Sequence, residues 1–225
     1  WIKPSLGIFE FNGNADNNIV WDLHGASVFR DDEEPDQQKR YKAIGFCRRY
    51  RNIFLLTSSD GIRWDDSAYL EPVVNRENEG CFNVVYDNKE NLFRAYALAR
   101  GTDQDKRRMI YYTESPRLSG PWQSLRPMLG ATPQDDAVGA EKYGAMRAEI
   151  HNMSGFRYHN IHIGIAGLLY VTGPGSPKDQ MPVDGPIDAH LIYSRDGCNW
   201  HYPEAEQTPM IPRGESGAFD GGMIM

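Results

Sequence analysis

The sequence predicts an all-β fold, a β-propeller of four-stranded antiparallel blades. Three observations lead there: one turn pattern recurs along the chain, short strand-like runs fill the spaces between its copies, and no stretch reads as a long amphipathic helix. The copies are Leu56-Thr-Ser-Ser-Asp60-Gly61-Ile-Arg-Trp64, Tyr112-Thr-Glu-Ser115-Pro-Arg-Leu-Ser-Gly120-Pro-Trp122 and Ile192-Tyr-Ser194-Arg-Asp196-Gly197-Cys-Asn-Trp200. In each, an apolar strand ends in a polar turn and the chain re-enters with a tryptophan. Asp-Gly makes the turn in the first and third copies, because the Asp side chain bonds nearby backbone N–H groups and Gly accepts positive φ. The middle copy uses a longer Pro/Gly turn. Asp60 and Asp196 are therefore scaffold residues rather than catalytic ones.

Taken in order, the expected strands are 26–29, 41–47, 52–58, 82–86, 92–99, 108–113, 150–158, 162–166 and 189–194, rich in β-branched and aromatic residues. The tryptophans stand 58 and 78 residues apart, which suits one four-stranded sheet per repeat with loop insertions. The insertions fall at 133–144 and 173–186. Blades are expected at about 17–66, 79–124 and 147–202, with a further blade opening at 217–225. Three blades and one strand do not close a ring, so either the rest of a longer propeller lies outside this chain or the chain is an open arc with exposed sheet edges; a start at Trp1 and a stop inside an apolar run lead to the expectation of a partial propeller.

The 225 residues carry a net charge of −7, and the basic residues are scattered, so no nucleic-acid partner is expected. No apolar run approaches the ~20 residues of a membrane helix, and no membrane partner is expected. Cys47, Cys81 and Cys198 are widely separated and odd in number, which leaves no C-x-x-C pair and no disulfide framework. His24, His151, His159 and His162 form no recognised ligand motif, and His159 and His162 read as strand residues. No metal site and no cofactor are expected.

Several phrases together resemble a known family: Lys3-Pro-Ser-Leu-Gly7 with Asn17-Asn18-Ile-Val20, Phe82-Asn83-Val-Val-Tyr-Asp87, Ile187 to Gly197, Ile211-Pro-Arg-Gly214 and Phe219-Asp220-Gly-Gly-Met-Ile224. They are similar to bacterial five-bladed propeller glycosidases of the invertase and arabinanase superfamily. The resemblance implies that the first strand of each blade lines a central channel, that acidic residues on those strands do the chemistry at its mouth, and that the partner is a carbohydrate. It also implies a secreted or periplasmic location, and leaves open a structural calcium ion in the channel.

Glycoside hydrolysis needs two carboxyl groups across the scissile bond, one protonated and one ionised. On the inner-strand segments, Glu149 is the expected general acid, Asp220 the partner carboxylate, and Asp22 a third acid that orients hydroxyls or supplies the nucleophile. Asn17, Asn18, His24, Asn83, His151 and Asn152 offer planar polar groups for sugar hydroxyls, and Trp21 offers an aromatic face. The plainer alternative for the asparagines is that they satisfy buried backbone groups. The family's distinct early aspartate has no clean match here; the nearest residues are Asp16-Asn17-Asn18 and Asp22. A carbohydrate-binding or catalytically inactive propeller is the alternative function. WD and kelch propellers are set aside because their repeat signatures are missing, and sialidase Asp boxes because those place one residue between Asp and Gly.

Overall fold

The computed structural model describes residues 2–65, 74, 81–101, 106–173, 184–203 and 208–224. Three antiparallel sheets follow one another along the chain. The first holds β1 (His24–Arg30), β2 (Tyr41–Cys47) and β3 (Asn52–Ser58), with an isolated bridge from Ser58 to Trp64 at its outer edge. The second holds β4 (Phe82–Asp87), β5 (Leu92–Arg100), β6 (Arg108–Ser115) and β7 (Arg126–Leu129). The third holds β8 (Arg147–Tyr158), β9 (Ile161–Val171), β10 (Ile187–Ser194) and β11 (Trp200–His201). Strands adjacent in sequence are adjacent in each sheet, and β4 lies against both β1 and β8. The sheets are thus blades whose first strands gather on one side, the arrangement of a propeller about its axis.

Alternation along the strands builds the core. In the second blade Asn83, Tyr96 and Tyr112 are in register and share a face. Tyr96 and Tyr112 pack there with Ile150, Leu168, Ile192 and Trp200 of the third blade. On the opposite face Phe82, Val84, Ala95 and Ala97 pack with Ile44, Phe46 and Ile53 of the first blade. The second blade is therefore covered on both sides, whereas the far face of the third exposes Phe156, Tyr158 and Ile165.

A charged clamp crosses the second junction. Asp87, at the end of β4, is 1% exposed and meets Arg94 Nε at 3.1 Å, Arg157 at 3.2 Å and His162 Nε2 at 3.2 Å. Burial pushes the Asp87 carboxyl up, but hydrogen bonds from the Glu90 N–H, His162 and Arg94 outweigh it and bring it down to about 2. His162, a strand residue on β9, is thereby a structural partner of Asp87.

The two Asp-Gly turns are wired alike. Ser58 Oγ accepts the N–H groups of Asp60 (3.2 Å) and Gly61 (2.9 Å), and Asp60 Oδ1 accepts those of Ile62 (2.8 Å) and Arg63 (2.7 Å). Ser194 and Asp196 repeat this with Asp196, Gly197, Cys198 and Asn199 at 3.3, 2.9, 2.8 and 2.7 Å. Gly61 and Gly197 have φ of +75° and +76°, in the region where an L side chain is strained. Trp200 then tucks its indole N–H onto Gly197 O at 3.1 Å.

Three features differ from expectation. Residues 133–144, read as a loop, contain the helix α1 (Pro133–Tyr143). Thr132 and Asp135 form a capping box, Pro133 opens the first turn, and Gly144 closes the helix at φ +64°. Residues 17–23, assigned to the first inner strand, precede β1 as irregular chain. The stretch from 217, expected to open another blade, hydrogen-bonds instead along the outer edge of β10, where Ile187 N–H reaches Gly222 O at 3.1 Å and Ile224 N–H reaches Ile187 O at 3.5 Å; ahead of it Met210 N–H reaches Ala189 O on the same edge at 2.8 Å. Residues 174–183, most of the second predicted insertion, lie outside the described residues. All three cysteines are free thiols.

Candidate active site

Glu149 stands near the start of β8, the first strand of its blade, and its side chain is 0% exposed. Arg147, two residues earlier and on the same side of the strand, holds Oε1 through Nε at 2.8 Å and through a terminal nitrogen at 2.7 Å. The backbone N–H of Arg108, at the start of β6 in the neighbouring blade, reaches Oε2 at 3.4 Å. A bulge between Ile150 and Asn152 re-aims the strand, and His151 Nδ1 lies 3.5 Å from the Arg108 guanidinium. Cys81 borders this cluster: burial pushes its thiol up, with the Arg108 charge opposing. Across the junction on β4, Asn83 Oδ1 is buried without a hydrogen-bond partner among the described residues.

This setting bears on the role expected of Glu149. A general acid must carry a proton to the leaving group, whereas the Glu149 carboxylate is matched by the Arg147 guanidinium and closed from solvent.

The other two acids lie elsewhere. Glu149, Leu169, Ile187 and Met223 occupy one row across the sheet, each bridged to the next. Three strand spacings of about 4.8 Å put the Glu149 backbone roughly 14 Å from that of Met223, three residues beyond Asp220. Asp220 is half-buried, with its carboxylate against the backbone of Gly214. It sits at the outer edge of the blade and does not share an inner strand with Glu149. Asp22 is exposed in the irregular chain before β1.

Of the expected sugar-binding residues, Asn17 is occupied with its own turn: its amide donates to Phe9 O and Asn14 O, both at 2.9 Å, and its Oδ1 accepts Ile19 N–H at 2.8 Å. Asn18 and Trp21 are half-buried. His24 is exposed beside Arg48, 3.3 Å from Nδ1, and burial followed by that charge lowers its pKa. Asn152 covers Gly167, where any Cβ would collide with its side chain. The structure therefore gathers Glu149 and His151 with Arg108 and Arg147, which the sequence reading passed over. An arginine two residues from an acid on one strand is a local signal for such a pair. Nothing local links Arg108 to a residue 41 positions away.

A second polar centre was also missed. Asp188, 2% exposed on β10, accepts from Arg213 Nε and from the Tyr143 hydroxyl, both at 2.6 Å. Arg213 also donates to Gly221 O at 2.5 Å, and with Tyr143, Asp184 and Gly214 it lines an open cleft of about 580 Å³. An aspartate inside an otherwise apolar strand is the sequence signal for this centre. Among the described residues, no three His, Cys, Asp or Glu side chains are gathered to hold a metal ion, and no helix is long and apolar enough to cross a membrane.

No family model matches the chain, and no curated protein matches it in sequence. Solved structures match it in fold. One described as a glycoside hydrolase superposes with a TM-score of 0.53 at 10% identity, over 94% of this chain and 56% of its own. A second, a complex of BT0996 with RGII, superposes with the same TM-score, identity and coverage. The chain thus has the β-propeller fold of glycoside hydrolases, and it spans 56% of the length of these two structures.

Proposed function

We propose that this chain is part of a carbohydrate-active propeller that hydrolyses glycosidic bonds in a poly- or oligosaccharide. The observation that supports this best is Glu149 on the inner strand of a glycoside-hydrolase-type blade, with His151 and Arg108 beside it and Asn83 Oδ1 across the junction. In this reading Glu149 is the ionised carboxylate, Asn83 and His151 receive sugar hydroxyls, and the proton donor is a second carboxyl. Asp22, exposed ahead of β1, is the first candidate for that donor and Asp220 the second. The blades belong to a five-bladed ring. The direct test is release of reducing ends from plant and algal polysaccharides by the purified protein. Product that disappears with Asp22→Asn or Asp220→Asn identifies the donor.

One observation favours a second reading, carbohydrate binding without hydrolysis: the ion pair that occupies Glu149. Calorimetric binding of oligosaccharides with no product over hours would establish that reading in place of the first.

A further inference from the structure

Among the buried polar atoms that have no hydrogen-bond partner among the described residues, four belong to the third blade and α1: both ring nitrogens of His190 on β10, the hydroxyl of Tyr202 just beyond β11, and Oδ1 of Asp135 in the first turn of α1. His190 is 1% exposed and Asp135 0%. The His190 and Tyr202 rings meet edge to face with centroids 5.8 Å apart. The Asp135 charge acts on both of them. The His190 and Tyr202 rings therefore share one interior space, and the charge of Asp135, in the first turn of α1, is felt there.

Buried polar groups are almost always satisfied, and where protein does not satisfy them ordered water does, typically through two to four hydrogen bonds. Asp135 is divided in its use. Oδ2 accepts the Thr132 N–H at 2.6 Å and hydroxyl at 2.7 Å in the capping box, which leaves Oδ1 turned the other way. The chemistry of the set also balances around water. A tyrosine hydroxyl and one imidazole N–H donate, while a carboxylate oxygen and the other imidazole nitrogen accept. Water does both. A metal ion would call for more anionic ligands than one carboxylate oxygen beside a neutral ring.

We propose that Asp135, His190 and Tyr202 form a bound-water site that fastens α1 to the outer part of the third blade. The site has a bearing on β8. The residue after Asp135, Asp136, accepts the Ala148 N–H at 2.7 Å, one position before Glu149. Water held between α1 and β10 steadies the helix that positions the start of that strand. Burial, the largest influence on His190, lowers its pKa; the charges of Asp188 and Asp135 oppose that and the charge of Lys142 adds to it.

Two measurements test this. A high-resolution crystal structure should contain solvent about 2.7–3.2 Å from Asp135 Oδ1, a His190 nitrogen and the Tyr202 hydroxyl. An interior without such density overturns the proposal, as does an ion with contacts near 2.0–2.3 Å. Tyr202→Phe gives an independent sign. If water bridges the hydroxyl, its loss lowers Tm by a few degrees. If nothing does, Phe relieves an unsatisfied group, Tm holds or rises, and the proposal fails.

Discussion

The Glu149–Arg147 pair sets what a substitution at this site can reveal. A carboxylate with no exposure depends on its counter-charge, and removing one partner of a buried pair costs about 3–5 kcal/mol. Arg147→Ala should therefore lower the unfolding free energy by about that amount in a urea titration, and activity must be compared below the reduced Tm. Arg147→Lys keeps the charge but loses the two-nitrogen grip, and should fall between. At this scale the sequence was partly legible. An acid and a histidine on a predicted inner strand, Glu149 and His151, do lie together, because a strand conveys its own neighbours. Arg108 was not legible, since it meets Glu149 and His151 from another blade.

Elements were legible where the pattern has a period of two and illegible where capping alone marks them. The runs at 41–47 and 52–58 became β2 and β3 with those bounds. The helix α1 escaped notice because its residues are mostly small or polar, with only Asp135 and Gly139 buried. Its signature was nonetheless in the letters: Thr132-Pro-Gln-Asp135 at one end and Gly144 at the other. Gly139 sharpens the point. In an exposed helix Gly→Ala gains about 1 kcal/mol, but here the new Cβ would collide with the Tyr170 ring. Gly139→Ala should instead destabilise, by about 1–3 kcal/mol in thermal or chemical unfolding. The Asp-Gly turns make a parallel case. Asp196→Ala removes the acceptor for two backbone N–H groups and the Asn199 amide, and should lower Tm by several degrees.

For the whole molecule, the propeller class was legible because its signal repeats, whereas the course of residues 208–224 was not: a short apolar run can join either edge of a sheet. The blade junction lends the molecule a pH dependence. The Asp87 carboxyl titrates at about 2 when folded, against 3.8 for the ordinary group. Its contribution, roughly 2 kcal/mol, is present above pH 4 and is lost as pH falls toward 2. Asp87→Asn should flatten the stability curve across that window, as followed by acid unfolding. On the far side of the third blade, Phe156 and Ile165 are exposed on a face with no covering sheet among the described residues. The self-contained wiring of the Asp-Gly turns reaches furthest. In each, the turn's backbone N–H groups are bonded by its own Ser and Asp side chains, so the entropy lost in closing so short a loop is small and the hairpin it starts can form in microseconds. A blade ended in this way is a transferable unit: it can be copied or transplanted without its neighbour having to supply the bend.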